Sequence, residues 1–523
     1  MLVNKFLEQS AKKFSNKVAL ISQNERVTFL ELEHTTNSLA NALIFHGLQK
    51  QDRVVIYLEN SVESVVSLFG ALKASGVFVI IHPQVKAKKL QYILNDCQAK
   101  ILITDARRLE EISRIILHCS HLTTILVTDE HDHNNPLLVS FNDALQYPTF
   151  CPRNNCIDID LASLIYTSGS TGNPKGVMLT HRNMTSAANS IITYLQNTSQ
   201  DIILNCLPLS FDYGLYQILM AMKFGGTVLL EKSFLYPYQI IDLIVKEKVT
   251  GFPLVPAIAA ILLKMKNLDA CDFSKLRYIT STAQTLPVKH IVQLQRTFPK
   301  TKIYSMYGLT ECKRATYLPP EELLKRPTSV GKAIPNTEAY LVNEFGERIT
   351  NPGEIGELVV RGANVMKGYW NRPEETAKKL KSGPYPGEKI LFTGDLFKMD
   401  DENYLYFVAR KDNMIKTAGE LVSPKEVENV LYEMDDILEA GAIGVPDEIV
   451  GQAIKAVVSL KDGSPVVEKD ILLHCSKHLE KFMIPKYVEI YQQLPKTPSG
   501  KIHLKCLTKT TEGKIHDHAM GVM

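Results

Sequence analysis

Residues 166–175 read Y-T-S-G-S-T-G-N-P-K. The hydroxyls of Ser168, Ser170 and Thr171 stand beside Gly169 and Gly172, with Thr167 just before them and Lys175 just after. Glycines let the backbone turn sharply and bring its N–H groups close to a ligand. The hydroxyls donate further hydrogen bonds, and a lysine adds a compact positive charge. A loop of this composition suits a polyphosphate, and the sequence after it is expected to enter a helix, as phosphate loops often do. It is not a Walker loop, because G-x-x-x-x-G-K-[ST] cannot be fitted around Gly169. The competing reading is a solvated Ser/Gly linker.

Four other clusters carry reactive types. Residues 304–311 read Y-S-M-Y-G-L-T-E and follow a predicted strand. Ligands of parallel sheets gather at the carboxyl ends of strands. There Glu311 could hold Mg²⁺, Thr310 could donate to a phosphate, and Tyr307 could stack on a base. By itself the segment also reads as a loop with a buried tyrosine. In F-T-G-D, residues 392–395, Asp395 could accept from both hydroxyls of a ribose, or serve as a turn aspartate. Arg410, in R-K-D, suits a ribose or phosphate contact, or a solvated linker. In L-P-K-T-P-S-G-K-I, residues 494–502, two prolines and a glycine stiffen the turn and present Lys501 at a defined place. Lysines more commonly face solvent, so this residue reads either way.

The elements that must position these groups follow from periodicity. Apolar strand-like runs alternate with helical patterns from 161 to 306, which argues for βα units and a largely parallel sheet. The same alternation appears earlier: 30–46 helical, 53–58 extended, 64–75 helical, 77–81 extended. After about residue 335 short strands and turns of Gly, Asn and Asp take over, a small β subdomain. From 413 a compact α+β pattern begins. The expected fold is therefore α/β: a large N-terminal domain (1–409) of two α/β layers plus a small β subdomain, then a small mobile α+β C-terminal domain (413–507). Residues 410–412 form the hinge, and the polar tail 508–523 is expected to be disordered.

Composition excludes several classes. The length of 523 residues suggests about three domain-sized units. With 45% hydrophobic and 22% charged residues the chain can bury a sizeable core. A net charge of +3 is too small to argue for nucleic acid or an acidic membrane. The nine cysteines show no C-x-x-C and are odd in number, so neither a disulfide framework nor a zinc site is expected, and a reducing, cytoplasmic location is. No apolar run reaches the length of a membrane span, and the first residues do not form a signal peptide.

Taken in order, these clusters resemble the AMP-forming adenylating superfamily of acyl-CoA synthetases, adenylation enzymes and firefly-type luciferases. The resemblance covers residues 1–507. It also includes T-F-L-E-L (28–32), the 72–83 segment, G-E-L-V-V-R-G (356–362), G-Y-W (368–370) and I-K-T-A-G (415–419). Bacterial AMP-forming acyl-CoA ligases are the nearest likeness. The resemblance implies ATP, Mg²⁺ and CoA as cofactors. An acid attacks the α-phosphorus of ATP, pyrophosphate leaves, and the acyl group of acyl-AMP passes to CoA. The alternative is a stand-alone amino-acid adenylation enzyme that loads a carrier-protein phosphopantetheine.

The roles it implies are as follows. Thr167 to Gly172 and Lys175 hold the β- and γ-phosphates, Thr310 the α-phosphate and Glu311 the Mg²⁺. Tyr307 stacks on adenine, and Asp395 and Arg410 bind ribose. Lys501 bridges the acid carboxylate and the ribose side of the forming acyl-AMP. Asp412 is the hinge of a domain rotation that removes Lys501, after which Lys416 and Gly419 face the second half-reaction. Asp212, in F-D-Y-G, stands where amino-acid-activating relatives pair an aspartate with the α-amino group; capping a helix that starts near Tyr213 is the equal alternative. Two departures stand out. T-S-T-A-Q-T (280–285) replaces a glycine-rich adenine segment, and Leu421 occupies a position where arginine or another polar residue is frequent. A luciferase-like oxygenase and a nucleotide-binding regulator without turnover are the readings from other classes.

Overall fold

Arg53–Tyr57 and Val77–Ile80 are apolar along nearly their whole length rather than alternating. Such runs suit strands covered on both faces, and the two pair in parallel. The computed structural model describes all residues except 24, 130–134, 168–172, 285, 418–419, 448–449, 498–501 and 508–523, and except the side chains of 412, 421, 451 and 505. The polypeptide divides into two compact units, one of residues 1–393 with 398–406, the other of residues 394–397 with 407 onward.

The first unit contains two open sheets. One runs in the order Gly368–Tyr369, Lys175–Thr180, Leu161–Thr167, Val77–Ile80, Arg53–Tyr57, Ala99–Thr104, Thr124–Val127, Leu138–Ser140. It is parallel from Leu161–Thr167 onward and antiparallel at its first two pairings. The other carries Val18–Ser22, Thr227–Leu230, Ile202–Asn205, Gly251–Leu254, Tyr278–Ser281 and Lys302–Tyr307 side by side and parallel. Antiparallel strands follow it, including the ribbon of Thr337–Val342 with Gly356–Gly362.

Local sequence starts the helices. Thr28 and Glu31 exchange hydrogen bonds across the first turn of Phe29–Phe45, as Ser61 and Ser64 do at Val62–Lys73 and Thr180 and Asn183 at His181–Leu195. Each reciprocal pair satisfies two backbone donors that a helix start leaves open. Thr180 therefore ends one strand and begins the next helix within a single residue.

The second unit has a sheet in the order Glu420–Val422, Ile415–Thr417, Gly451–Leu460, Ile437–Asp447, with Tyr487–Tyr491 parallel to Gly451–Leu460. The helices Pro424–Glu433 and Glu468–His478 contribute Val427, Leu431, Ile471 and Cys475 to its core against Ile454, Ala456 and Val458. The fold is thus mixed α/β with a large N-terminal and a small α+β C-terminal domain. Among the described residues, no helix is long and apolar enough to cross a membrane.

Candidate active site

The hydroxyl-rich loop departs from expectation in one respect. It does not lead from a strand into a helix. It joins two antiparallel strands, Leu161–Thr167 and Lys175–Thr180, and the helix starts only at His181. The apolar run G-V-M-L after Lys175 pairs with Leu161–Thr167 before the helical pattern begins, and that pairing overrides the reading of the segment as loop and helix. Thr167 and Lys175 consequently face one another as the last strand partners before the loop. Residues 168–172, expected on the phosphates, lie outside the described residues.

Next to Lys175 the sheet adds Gly368–Tyr369, with Tyr369 opposite Val177. The Lys175 ammonium lies 5.6 Å from the centre of the Tyr369 ring and 3.8 Å from a Glu375 carboxylate oxygen. The Tyr369 hydroxyl donates to Glu311 Oε1 at 2.6 Å. One tyrosine, on the strand beside Lys175–Thr180, therefore reaches the Y-G-L-T-E turn. The Met366 N–H donates to the Glu311 carbonyl at 2.7 Å and fixes the turn from its other side. Thr310 and Glu311 are half-buried just beyond the end of Lys302–Tyr307, and Tyr307 is the last residue of that strand. Gly308 is required by packing: a Cβ there would meet the Lys313 carbonyl oxygen at 2.3 Å.

The start of the hairpin is anchored below. Tyr166 donates to Asp96 Oδ2 at 2.6 Å, Arg372 pairs with Asp96 Oδ1 at 2.8 Å, and the Trp370 indole donates to the Asp96 carbonyl at 2.9 Å. Burial and the neighbouring Asp96 push the Tyr166 phenol far up, so it stays a donor. The G-Y-W segment is thereby tied to both sides of the loop's hairpin.

Of the two sequence readings of Asp212, the capping one does not hold. The helix Asp212–Phe224 begins at this residue, its N-cap is Phe211, and no side chain caps it. Instead the Asp212 carboxylate pairs with the Lys313 ammonium at 3.2 Å, and Lys313 also donates to the Asp212 carbonyl at 2.9 Å. Lys313 is 3% and Arg314 2% exposed. The Arg314 Nη1 donates to the Thr282 hydroxyl at 2.7 Å. Burial pulls the Lys313 ammonium down to about 7 although Asp212 opposes it. Sequence reasoning missed Lys313 and Arg314, although both directly follow Y-G-L-T-E-C; two adjacent cations behind a candidate ligand turn were the available signal. It also gave Tyr369 no role.

In the second unit Asp395 is 2% exposed, and the Arg410 Nε lies 3.1 Å from its Oδ1. Two residues expected on one ribose thus form an ion pair. Lys416 is exposed on Ile415–Thr417, where its N–H donates to Gln452 Oε1 at 2.9 Å. Asp412 lies in a short 3₁₀ turn, Lys411–Asn413. Gly419 and Lys501 lie outside the described residues.

Residues 7–370 match the family model of AMP-binding enzymes, and residues 426–501 that of the AMP-binding enzyme C-terminal domain. The chain belongs to the AMP-binding enzyme family. A long-chain-fatty-acid–CoA ligase of Bacillus subtilis (strain 168) is 32% identical over 95% of this chain and 92% of its own. Tyrocidine synthase 1 of Brevibacillus parabrevis is 29% identical over 97% of this chain and 44% of its own. Among solved structures, an anthranilate CoA ligase in complex with anthranoyl-AMP superposes with a TM-score of 0.89, at 28% identity, over 97% of this chain and 96% of that one.

Proposed function

We propose the following working of this site. The chain is an AMP-forming acyl-CoA ligase: it uses ATP to convert a carboxylic acid to acyl-AMP with release of pyrophosphate, then passes the acyl group to CoA. The carrying observation is the tyrosine bridge that brings Lys175 and Glu311 to one place. The reaction presses a carboxylate against a triphosphate, so charge must be offset where the two meet. Lys175, with Thr167 and the loop 168–172, holds the β- and γ-phosphates. Thr310 donates to the α-phosphate, and Tyr307 stacks on adenine. Asp395 and Arg410 take the ribose.

Glu311 fits a divalent ion. One oxygen is held by Tyr369, and no hydrogen bond to the other occurs among the described residues. A carboxylate so oriented is a hard donor suited to Mg²⁺ beside phosphates, which when bound would neutralise part of their charge. Lys501 spans the acid carboxylate and the ribose side during adenylation. The small domain then turns about Asp412, withdraws Lys501 and brings Lys416 and Gly419 to the thiol. The pairing of Asp212 with Lys313 speaks against a substrate ammonium there, and so favours CoA over a carrier loaded with an amino acid. A cytoplasmic location suits the nine free cysteines.

The test is a two-stage assay of the full chain with ATP and Mg²⁺ across a panel of fatty, aromatic, dicarboxylic and amino acids. Acid-dependent ATP–pyrophosphate exchange, followed by acyl-CoA on adding CoA, is expected. No exchange with any acid would overturn the reading.

A further inference from the structure

Two helices of the second unit pack together, and their last turns bring three metal-binding side chains to one place. Glu433 is the last residue of Pro424–Glu433. His478 is the last residue of Glu468–His478, and His474 stands one turn before it. Residues four apart lie on one face of a helix, and both imidazoles reach the same carboxylate. Glu433 Oε2 lies 3.8 Å from His474 Nε2 and 3.8 Å from His478 Nδ1. The centres of the two rings are 4.5 Å apart. One ligand atom from each of the three residues falls within 4.8 Å of the other two.

These spacings fit one small ion. Zn²⁺ binds nitrogen at about 2.0–2.1 Å and carboxylate oxygen at about 2.0–2.2 Å, so neighbouring corners of its tetrahedron stand about 3.3–3.4 Å apart. The two distances from Glu433 exceed that by about half an ångström, a small side-chain rotation. The side chains of His474, His478 and Glu433 are 22%, 46% and 56% exposed and have room to make it. The backbone beneath them is held: Leu431, Ile471 and Cys475 are fully buried in the core of the unit, each within one turn of a ligand. The donor set chooses the ion, because imidazole suits zinc, copper and nickel whereas Mg²⁺ takes oxygen. Two histidines four apart on a helix are a recurrent zinc-binding pair, and a glutamate commonly completes the set. Cysteine spacing gave no sign of it, because none of the three ligands is a cysteine and the carboxylate comes from a separate helix.

We propose that Glu433, His474 and His478 form a zinc site in the small domain, separate in chemistry from the Mg²⁺ at Glu311 and independent of the ligase reading. The ligands are Glu433 Oε2, His474 Nε2 and His478 Nδ1. His474 Nε2 also lies 3.1 Å from the Val430 carbonyl. A neutral imidazole carries one proton, so with Nε2 on the ion that proton moves to Nδ1, and the contact with Val430 is exchanged for the metal bond. Three protein ligands leave the fourth position to water, so the ion exchanges with free zinc. It ties the ends of two helices together, and an ion held by the folded form alone stabilises that form.

The experiment is zinc binding by the full chain, first freed of metal with a chelator and then titrated against a chromogenic zinc indicator in buffer holding excess Mg²⁺. Zinc is expected to bind with an affinity that Mg²⁺ does not reduce, and the melting midpoint should rise with zinc and not with Mg²⁺. His478→Ala and Glu433→Gln should each weaken zinc binding by about 10–100-fold, at least the effect of removing a group that merely orients a ligand, and should abolish the rise in midpoint. Both side chains are about half-exposed at helix ends, so the midpoint without zinc should stay near that of the parent. Cys506 Sγ lies 3.1 Å from His503 Nδ1 and offers zinc a second pair of donors; Cys506→Ser should leave the affinity unchanged. Zinc bound equally tightly by His478→Ala and Glu433→Gln, zinc displaced by Mg²⁺, or an affinity lost in Cys506→Ser overturns the proposal. So does a parent that binds no zinc, which would leave the three groups an ion pair.

Discussion

The Tyr369 hydroxyl donates to Glu311 Oε1 at 2.6 Å while the face of the same ring lies 5.6 Å from the Lys175 ammonium. A residue on the strand beside Lys175–Thr180 thus orients the carboxylate proposed to carry the metal. Groups that orient metal ligands typically affect metal affinity by 10–100-fold. Tyr369→Phe, which keeps the ring and removes the hydroxyl, should raise the Mg²⁺ concentration needed for half-maximal pyrophosphate exchange about ten-fold. Thermal stability should change little. An unchanged magnesium dependence would separate Glu311 from the metal.

The Asp395–Arg410 pair joins a buried carboxylate to a guanidinium whose side chain is 58% exposed. An exposed partner contributes little to folding, which is compatible with the ribose contact proposed for the pair. Asp395→Asn should raise KM for ATP by about 10–30-fold, the loss of one charge-assisted hydrogen bond, with a melting midpoint close to that of the parent. A large fall in stability without change in KM would make the pair structural.

Lys501 is assigned to one half-reaction only. Lys501→Ala should reduce acid-dependent pyrophosphate exchange by about 100-fold or more, yet leave transfer from chemically supplied acyl-AMP to CoA near the parent rate. Equal loss of both steps would contradict a lysine that withdraws between them.

Two buried histidines make the fold sensitive to acid. Burial lowers both His181 and His290 from 6.5 to about 4. His181 Nδ1 accepts from the Val3 N–H at 3.1 Å, which requires that nitrogen unprotonated. Because the folded values lie below the unfolded ones, the unfolded chain binds more protons between them, and stability rises with pH across that window. The contribution is complete above about pH 6.5 and lost as the pH falls toward 4, up to about 3 kcal/mol for each histidine. Melting midpoints taken at pH 7, 6, 5 and 4 should fall progressively. In His181→Gln, whose amide oxygen can still accept from Val3, the slope should be shallower; an identical slope would exclude His181 as its source.

Much was legible from sequence because it depends on neighbours along the chain. The runs V-V-I-Y and V-F-V-I are strands because no residue in them tolerates solvent on either face. Helix starts at Thr28, Ser61 and Thr180 are written in side chains three residues apart. The order of the motifs likewise identified the AMP-binding enzyme family before any contact was known. Strand pairing was less visible: Lys175–Thr180 is an apolar run followed by a helix, and its partner lies on the far side of the glycine loop.

Only the tertiary structure decided which groups meet. Asp212 and Lys313 are 101 positions apart, and Glu311 and Tyr369 are 58. Periodicity reports which face of its own element a residue occupies, not which distant residue packs against that face. A buried cation therefore declares its partner only when the sheets are assembled and water is excluded.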